Sequence, residues 1–188
     1  MIRLALFLCV FLGGCASTPG GYVQVPVIPA WEFADDSAVV SDMELYNSVL
    51  YDLTLAPIFG GIDSTDNSFI TLDHAWLEKL CAWSGEFRKS ARINFVTDSF
   101  DCDKFALGFC FAANMAAGHE GIKHQPLLFR ISVEQVKPFG GVPAGGRHAL
   151  AVGRTQKGLY VIEPQSGVMV PLAQYPNRDQ IYKIRIGG

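Results

Sequence analysis

The chain has 188 residues, with 15 Lys and Arg against 18 Asp and Glu and a formal net charge of −3. It carries no basic stripe and no Lys/Arg cluster of the kind that follows a phosphate backbone, so nucleic acid is not an expected partner. With 49% hydrophobic residues, no repeat period and no low-complexity tract, it suits one domain with a single sizeable core.

Met1-Ile2-Arg3 is a positively charged start, and Leu4 to Leu12 is an apolar run too short for a bilayer that needs ~20 residues. The segment reads as a secretory signal. The Leu12-Gly13-Gly14-Cys15 string that ends it resembles the lipobox of bacterial lipoproteins. That resemblance implies cleavage before Cys15, acylation of its thiol, and anchoring on a membrane without insertion. The expected organisation is a signal peptide over 1–14, a lipidated tether over 15–30, and one domain over 31–188. Ala16 after the cysteine, where aspartate often marks inner-membrane retention, favours the outer membrane of a bacterial envelope. Host and phage origin both stay open.

The N-terminal half of the domain reads mostly helical. A short helix is expected over Asp42 to Leu53, stopped by Pro57 and Gly60-Gly61. Thr71-Leu72-Asp73 can cap a second one, in which Ala75, Trp76, Leu77, Leu80, Cys81 and Phe87 recur at helical spacing up to Arg88-Lys89. Ser99 or Asp101 caps a third, running through Phe105, Leu107, Phe109, Phe111 and Met115 to Gly118. This one is apolar nearly all round and is expected to be central and buried, with Phe111 in the core. After Pro126 the texture changes to short β-rich runs at Leu127 to Val136, Arg147 to Arg154, Leu159 to Glu163, Val168 to Leu172 and Gln180 to Ile186, separated by Gly/Pro turns. Helix followed by strands argues an α+β domain with the buried helix packed on an antiparallel sheet.

Cys81, Cys102 and Cys110 remain in the domain, an odd number for an oxidising compartment. On one helix Cys102 and Cys110 stand about 12 Å apart, beyond the ~7 Å that a disulfide spans, so Cys81 with Cys110 is the expected bridge. Cys102 then needs another reason. It stands in the first turn of a helix, where unpaired N–H groups and the helix dipole favour thiolate. His148, in Gly146-Arg147-His148-Ala149, can take the thiol proton, and Glu163, in Ile162-Glu163-Pro164-Gln165, can orient the ring. If the strands meet through an even-residue turn within Thr155 to Gly158, His148, Glu163 and Gln165 share one face. A three-residue turn reverses this and separates Glu163 from His148. The constellation requires the Cys102 sulfur within about 4 Å of a His148 ring nitrogen, with Glu163 or Gln165 on the other.

The order Cys, His, acid, with the cysteine heading a core helix, resembles the papain-like and transglutaminase-like cysteine peptidase superfamily. The Asp101-Cys102-Asp103-Lys104-Phe105-Ala106, Arg147-His148-Ala149 and Ile162-Glu163-Pro164-Gln165 strings look most like bacterial transglutaminase-like peptidases and the peptidase domain of fungal agglutinin-type lectins. The resemblance covers about Ser99 to Glu163. It implies a papain-like/transglutaminase-like α+β fold with Cys102 as nucleophile, His148 as general base and Glu163 as orienter. Gln165, Asn94 and Ser99 are candidate oxyanion or orienting helpers, beside the Cys102 amide. The activity expected is a lipid-anchored cysteine hydrolase, a peptidase or amidase working through an acyl-enzyme on a peptide or protein. The alternatives are a transglutaminase-type acyltransferase and a non-enzymatic envelope lipoprotein that binds or blocks a partner.

No metal and no cofactor is expected; calcium, bound in some relatives, is the one ion that Asp101 and Asp103 leave open. His119-Glu120 with His124 lacks the four-residue spacing of a zinc helix, and Asp63 to Asn67 lacks the glycine and closing glutamate of a calcium loop. Gly140 to Gly146 reads as a flexible flap before His148. The oligomeric state stays open.

Overall fold

The computed structural model of the chain describes residues 25–33, 38–41, 62–64, 68–94 and 101–186. The signal peptide, Cys15, most of the tether, the expected helix over Asp42 to Leu53, and Ser99 lie outside these residues. Among those described, no helix is long and apolar enough to cross a membrane.

The elements in chain order are β1 (Val39–Ser41), β2 (Ile62–Ser64), β3 (Ser68–Ile70), α1 (His74–Ser90), α2 (Cys102–His119), β4 (Gln125–Pro126), β5 (Leu128–Glu134), β6 (Arg147–Thr155), β7 (Gly158–Glu163), β8 (Val168–Pro171) and β9 (Ile181–Ile186). They form a three-stranded sheet in the order β1-β3-β4 and a six-stranded sheet in the order β2-β9-β5-β6-β7-β8. Sheet therefore dominates, and the expected papain-like/transglutaminase-like α+β class is corrected. Strands β1, β2 and β3 are three residues each, too short to show an alternation, and partners distant in sequence make them strands. The large sheet is mixed rather than antiparallel, because β2 runs parallel to β9.

Helix α1 starts where the Asp73 carboxylate accepts the Trp76 amide at 2.7 Å, and it ends on Arg88 and Lys89, whose charge suits the C-terminal dipole. One core cluster combines Trp76, Leu77, Leu80 and Cys81 of α1 and Phe109, Cys110 and Ala113 of α2 with Ala151 and Ile162 of the sheet. A second combines Phe129, Ile131 and Val133 of β5 with Leu150 and Val152 of β6, Phe139, Tyr175 and Ile184. Alternation along β6 sorts its side chains, small Ala149, Ala151 and Gly153 on one face and His148, Leu150 and Val152 on the other. The missing side chain matters at Gly153, where a Cβ would stand 3.0 Å from both Leu72 and Leu77.

Helix α2 buries only one side, through Phe105, Ala106, Phe109, Cys110 and four alanines. Its other side is open, with Leu107 39% and Phe111 55% exposed, which corrects the expectation of an all-round buried helix with Phe111 in the core. Alanine and glycine raise the apolar count of this helix without demanding burial, so a composition that looks central covers only one face. The three thiols are all free, and the expected Cys81–Cys110 disulfide is not formed. Cys81 contacts Met169 instead, sulfur to sulfur at 4.0 Å. Burial pushes the Cys81 and Cys110 thiols up to about 12, so both are neutral core residues.

Candidate functional site

Strands β6 and β7 meet across Gln156 and Lys157, with Thr155 opposite Gly158 and Ala151 opposite Ile162. Two turn residues make opposed positions sum to an odd number, so His148 and Glu163 fall on one face. His148 Nε2 stands 2.5 Å from Glu163 Oε2, with His148 7% exposed and Glu163 fully buried. The second carboxylate oxygen accepts the Gln165 amide at 3.0 Å. The remaining hydrogen bond of the His148 ring is to the Cys102 side chain, and it falls to Nδ1 because Nε2 is occupied. The structure thus brings Cys102, His148 and Glu163 together from three elements.

Cys102 is half-buried at the first position of α2, where the leading amides have no intrahelical acceptor. Asp101 precedes it without capping the helix through its side chain, and its carboxylate lies 3.3 Å from Lys104 Nζ. Of the expected helpers, Gln165 acts through its backbone. Asn94 is exposed beyond the end of α1 and, among the described residues, makes no bond to the cluster. Among the described residues no group of three or more His, Cys, Asp or Glu is placed to hold a metal ion. His119 sits 3.1 Å from Glu120 and His124 hydrogen-bonds Ser68, so the two histidines serve separate surface contacts.

Burial by itself lowers the His148 pKa and is the largest single influence on it. The hydrogen bonds to Cys102 and Glu163, with the negative charge of both, outweigh burial and push His148 from 6.5 up to about 9. The ring is therefore held as imidazolium beside the Cys102 sulfur. A pH dependence of stability follows. The folded state holds its proton more tightly than the unfolded chain, so the contribution is fully present below pH 6.5 and lost as pH rises to about 9. Thermal or urea unfolding of the chain is expected to lose about 3 kcal/mol across that window. The His148→Ala protein is expected to show a flat profile there; an equally steep one would refute the assignment.

Several residues that support this cluster carry no signal in the sequence. Gly140 (φ +58) lies against Glu163: a Cβ there would stand 2.6 Å from the Glu163 Cβ. The loop around it is tied down rather than a free flap. Gln135 Nε2 donates to the carbonyls of Val142 and Pro143, and the buried Asn177 pairs both of its amide groups with the Lys137 backbone. These contacts join segments up to 40 residues apart, and an isolated Gln or Asn has no periodicity to betray it.

No family model matches the chain, and no curated relative matches it. Solved structures similar to it include the PSL1a–E64 complex, at 18% identity and a TM-score of 0.59, covering 79% of this chain and 50% of that one. They also include the Polyporus squamosus lectin bound to the human-type influenza-binding epitope Neu5Aca2-6Galb1-4GlcNAc, at 16% identity and a TM-score of 0.56, covering 79% and 49%. The chain spans about half the length of each, and identity this low shows likeness of fold alone. The neighbours are lectin structures, and this corrects the recognition of a papain-like or transglutaminase-like cysteine peptidase. The cysteine hydrolase reading and its peptide substrate, which leant on that resemblance, fall with it. A thiol, an imidazole and an acid in order recur on unrelated scaffolds, so three short strings do not identify a family.

Proposed function

We propose that the chain is a binding module of the cell envelope, held there by a lipid on Cys15, with carbohydrate as its ligand class. The observation that carries this reading is the likeness of fold to a lectin bound to Neu5Aca2-6Galb1-4GlcNAc. Phe33 and Phe111, 58% and 55% exposed, offer open aromatic surfaces against which the apolar face of a sugar ring can pack. The Leu12 to Cys15 string and Ala16 support the anchor and the outer-membrane address. The test is titration of that trisaccharide, then a wider glycan panel, into the full chain. Saturable binding at about 1 mM or tighter is expected. Absence of saturable binding to any glycan would overturn the carbohydrate assignment.

A second reading is favoured by one observation, the Cys102–His148–Glu163 cluster. It is an enzyme that moves acyl groups through a thiol, needing no cofactor. The Cys102 sulfur would bond to the acyl carbon and the departing amine would take the imidazolium proton. An acceptor amine would then displace the sulfur and return a proton to His148. Its test is labelling of Cys102 by iodoacetamide, or by the E64 named with PSL1a, with and without His148.

A further inference from the structure

Glu163 ends β7, and the turn that follows it is gripped by α1 from the far side. Ser84 Oγ donates to the Pro164 carbonyl at 2.6 Å, and Arg88 Nε donates to the Gln165 carbonyl at 2.6 Å. Between them Gly85 lets the turn approach: a Cβ there would stand 2.7 Å from the Ser166 carbonyl oxygen. The turn closes on itself through the Ser166 and Gly167 amides, both donating to the Glu163 carbonyl. The Gln165 amide, one atom group away from the carbonyl that Arg88 holds, donates to Glu163 Oε1, while Oε2 meets His148.

We propose that Ser84 and Arg88 are positioning residues: their hold on the Pro164 and Gln165 carbonyls orients the Gln165 amide, and this keeps the Glu163 carboxylate on His148 Nε2. The inference rests on the thiol-site reading and names residues in which that reading has no part, since neither touches Cys102 or His148. Ser84 is buried and Arg88 half-buried. The hydroxyl and guanidinium are spent on main-chain carbonyls more than 75 residues away, a use that binds two elements at the one turn carrying the acid. The titratable and charged groups around the histidine are Cys102 and Glu163 in contact, Asp101 before α2 paired with Lys104, and Arg147 paired with Glu134 across β6 and β5. Tyr175, pushed up to about 12 chiefly by burial, stays neutral beside Glu163.

The experiment is NMR titration of the His148 ring in the full chain, assigned among the four histidines by His148→Ala. Wild-type protein is expected to titrate near pH 9. Arg88→Ala and Ser84→Ala are each expected to lower that midpoint by about half a unit to one unit, and Ser84→Thr, which keeps the hydroxyl, to restore it. A purely structural role lowers the unfolding temperature and leaves the midpoint in place. A folded Ser84→Ala/Arg88→Ala protein titrating as wild type would overturn the proposal, and if the double variant fails to fold, Arg88→Ala alone decides. The ring titration reports Glu163 placement whether or not Cys102 reacts, so failure of this inference and failure of the thiol reading give different results.

Discussion

Replacing His148 with alanine is expected to slow iodoacetamide labelling of Cys102 at pH 6.5 by about 100-fold, because the group positioned to take the thiol proton is lost. In the wild-type protein the imidazolium beside the sulfur stays charged up to about pH 9, and the leading amides of α2 add their dipole. Cys81 and Cys110 do not confuse the assay, since both are buried and neutral. Slow labelling in both proteins would remove the support for acyl-transfer chemistry and leave the binding module alone. Fast labelling in both would show an activated thiol that owes nothing to His148.

The largest stability loss is expected from Gly167→Ala. Gly167 adopts φ +76, and a Cβ there would stand 2.2 Å from the Cys81 carbonyl oxygen and 2.9 Å from its carbon. Neither obstacle can swing aside, because both are backbone in the middle of α1. Strain of the left-handed conformation costs about 1–2 kcal/mol, and forcing helix and turn apart brings the total to roughly 3–5 kcal/mol. For a domain of this size that lowers the unfolding temperature by about 10 °C. Gly158→Ala is the control, since φ is +113 and nothing lies within 4 Å of the added carbon. It should cost only the conformational part. If the two variants unfold at the same temperature, the close seating of the turn on α1 is wrong. The same displacement carries Glu163 away from His148, so the Gly167→Ala protein should also lose part of its pH dependence of stability.

Helix α1 was legible because each of its signals is local: Asp73 for the cap, apolar residues at helical spacing, Arg88 and Lys89 at the end. Strands β5 to β9 were legible from alternation and turn residues, and the two-residue turn at Gln156 and Lys157 settles the side to which Glu163 points. The short strands β1 to β4 were not, since two or three residues form a strand only when another segment supplies the hydrogen bonds. Phe111 misled because hydrophobicity marks what a residue can bury and not whether a neighbour arrives to cover it. The expected disulfide misled because spacing along the chain says nothing of where two buried thiols point.

Sequence by itself determined the presence of a thiol at a helix start, an imidazole opening one strand and a carboxylate closing the next, because helix caps, strand periods and tight turns act over a few residues. Tertiary structure alone revealed the likeness of fold to the PSL1a–E64 complex and to the Polyporus squamosus lectin. It decided too that Gly140 lies against the acid, that Gln135 and Asn177 tie down the loop around Gly140, and that Ser84 and Arg88 grip the turn after Glu163. Those contacts close over tens of residues, and a single hydrogen bond of ~1 kcal/mol writes no pattern into the chain around it. Their positions exist only once two helices and a sheet have packed.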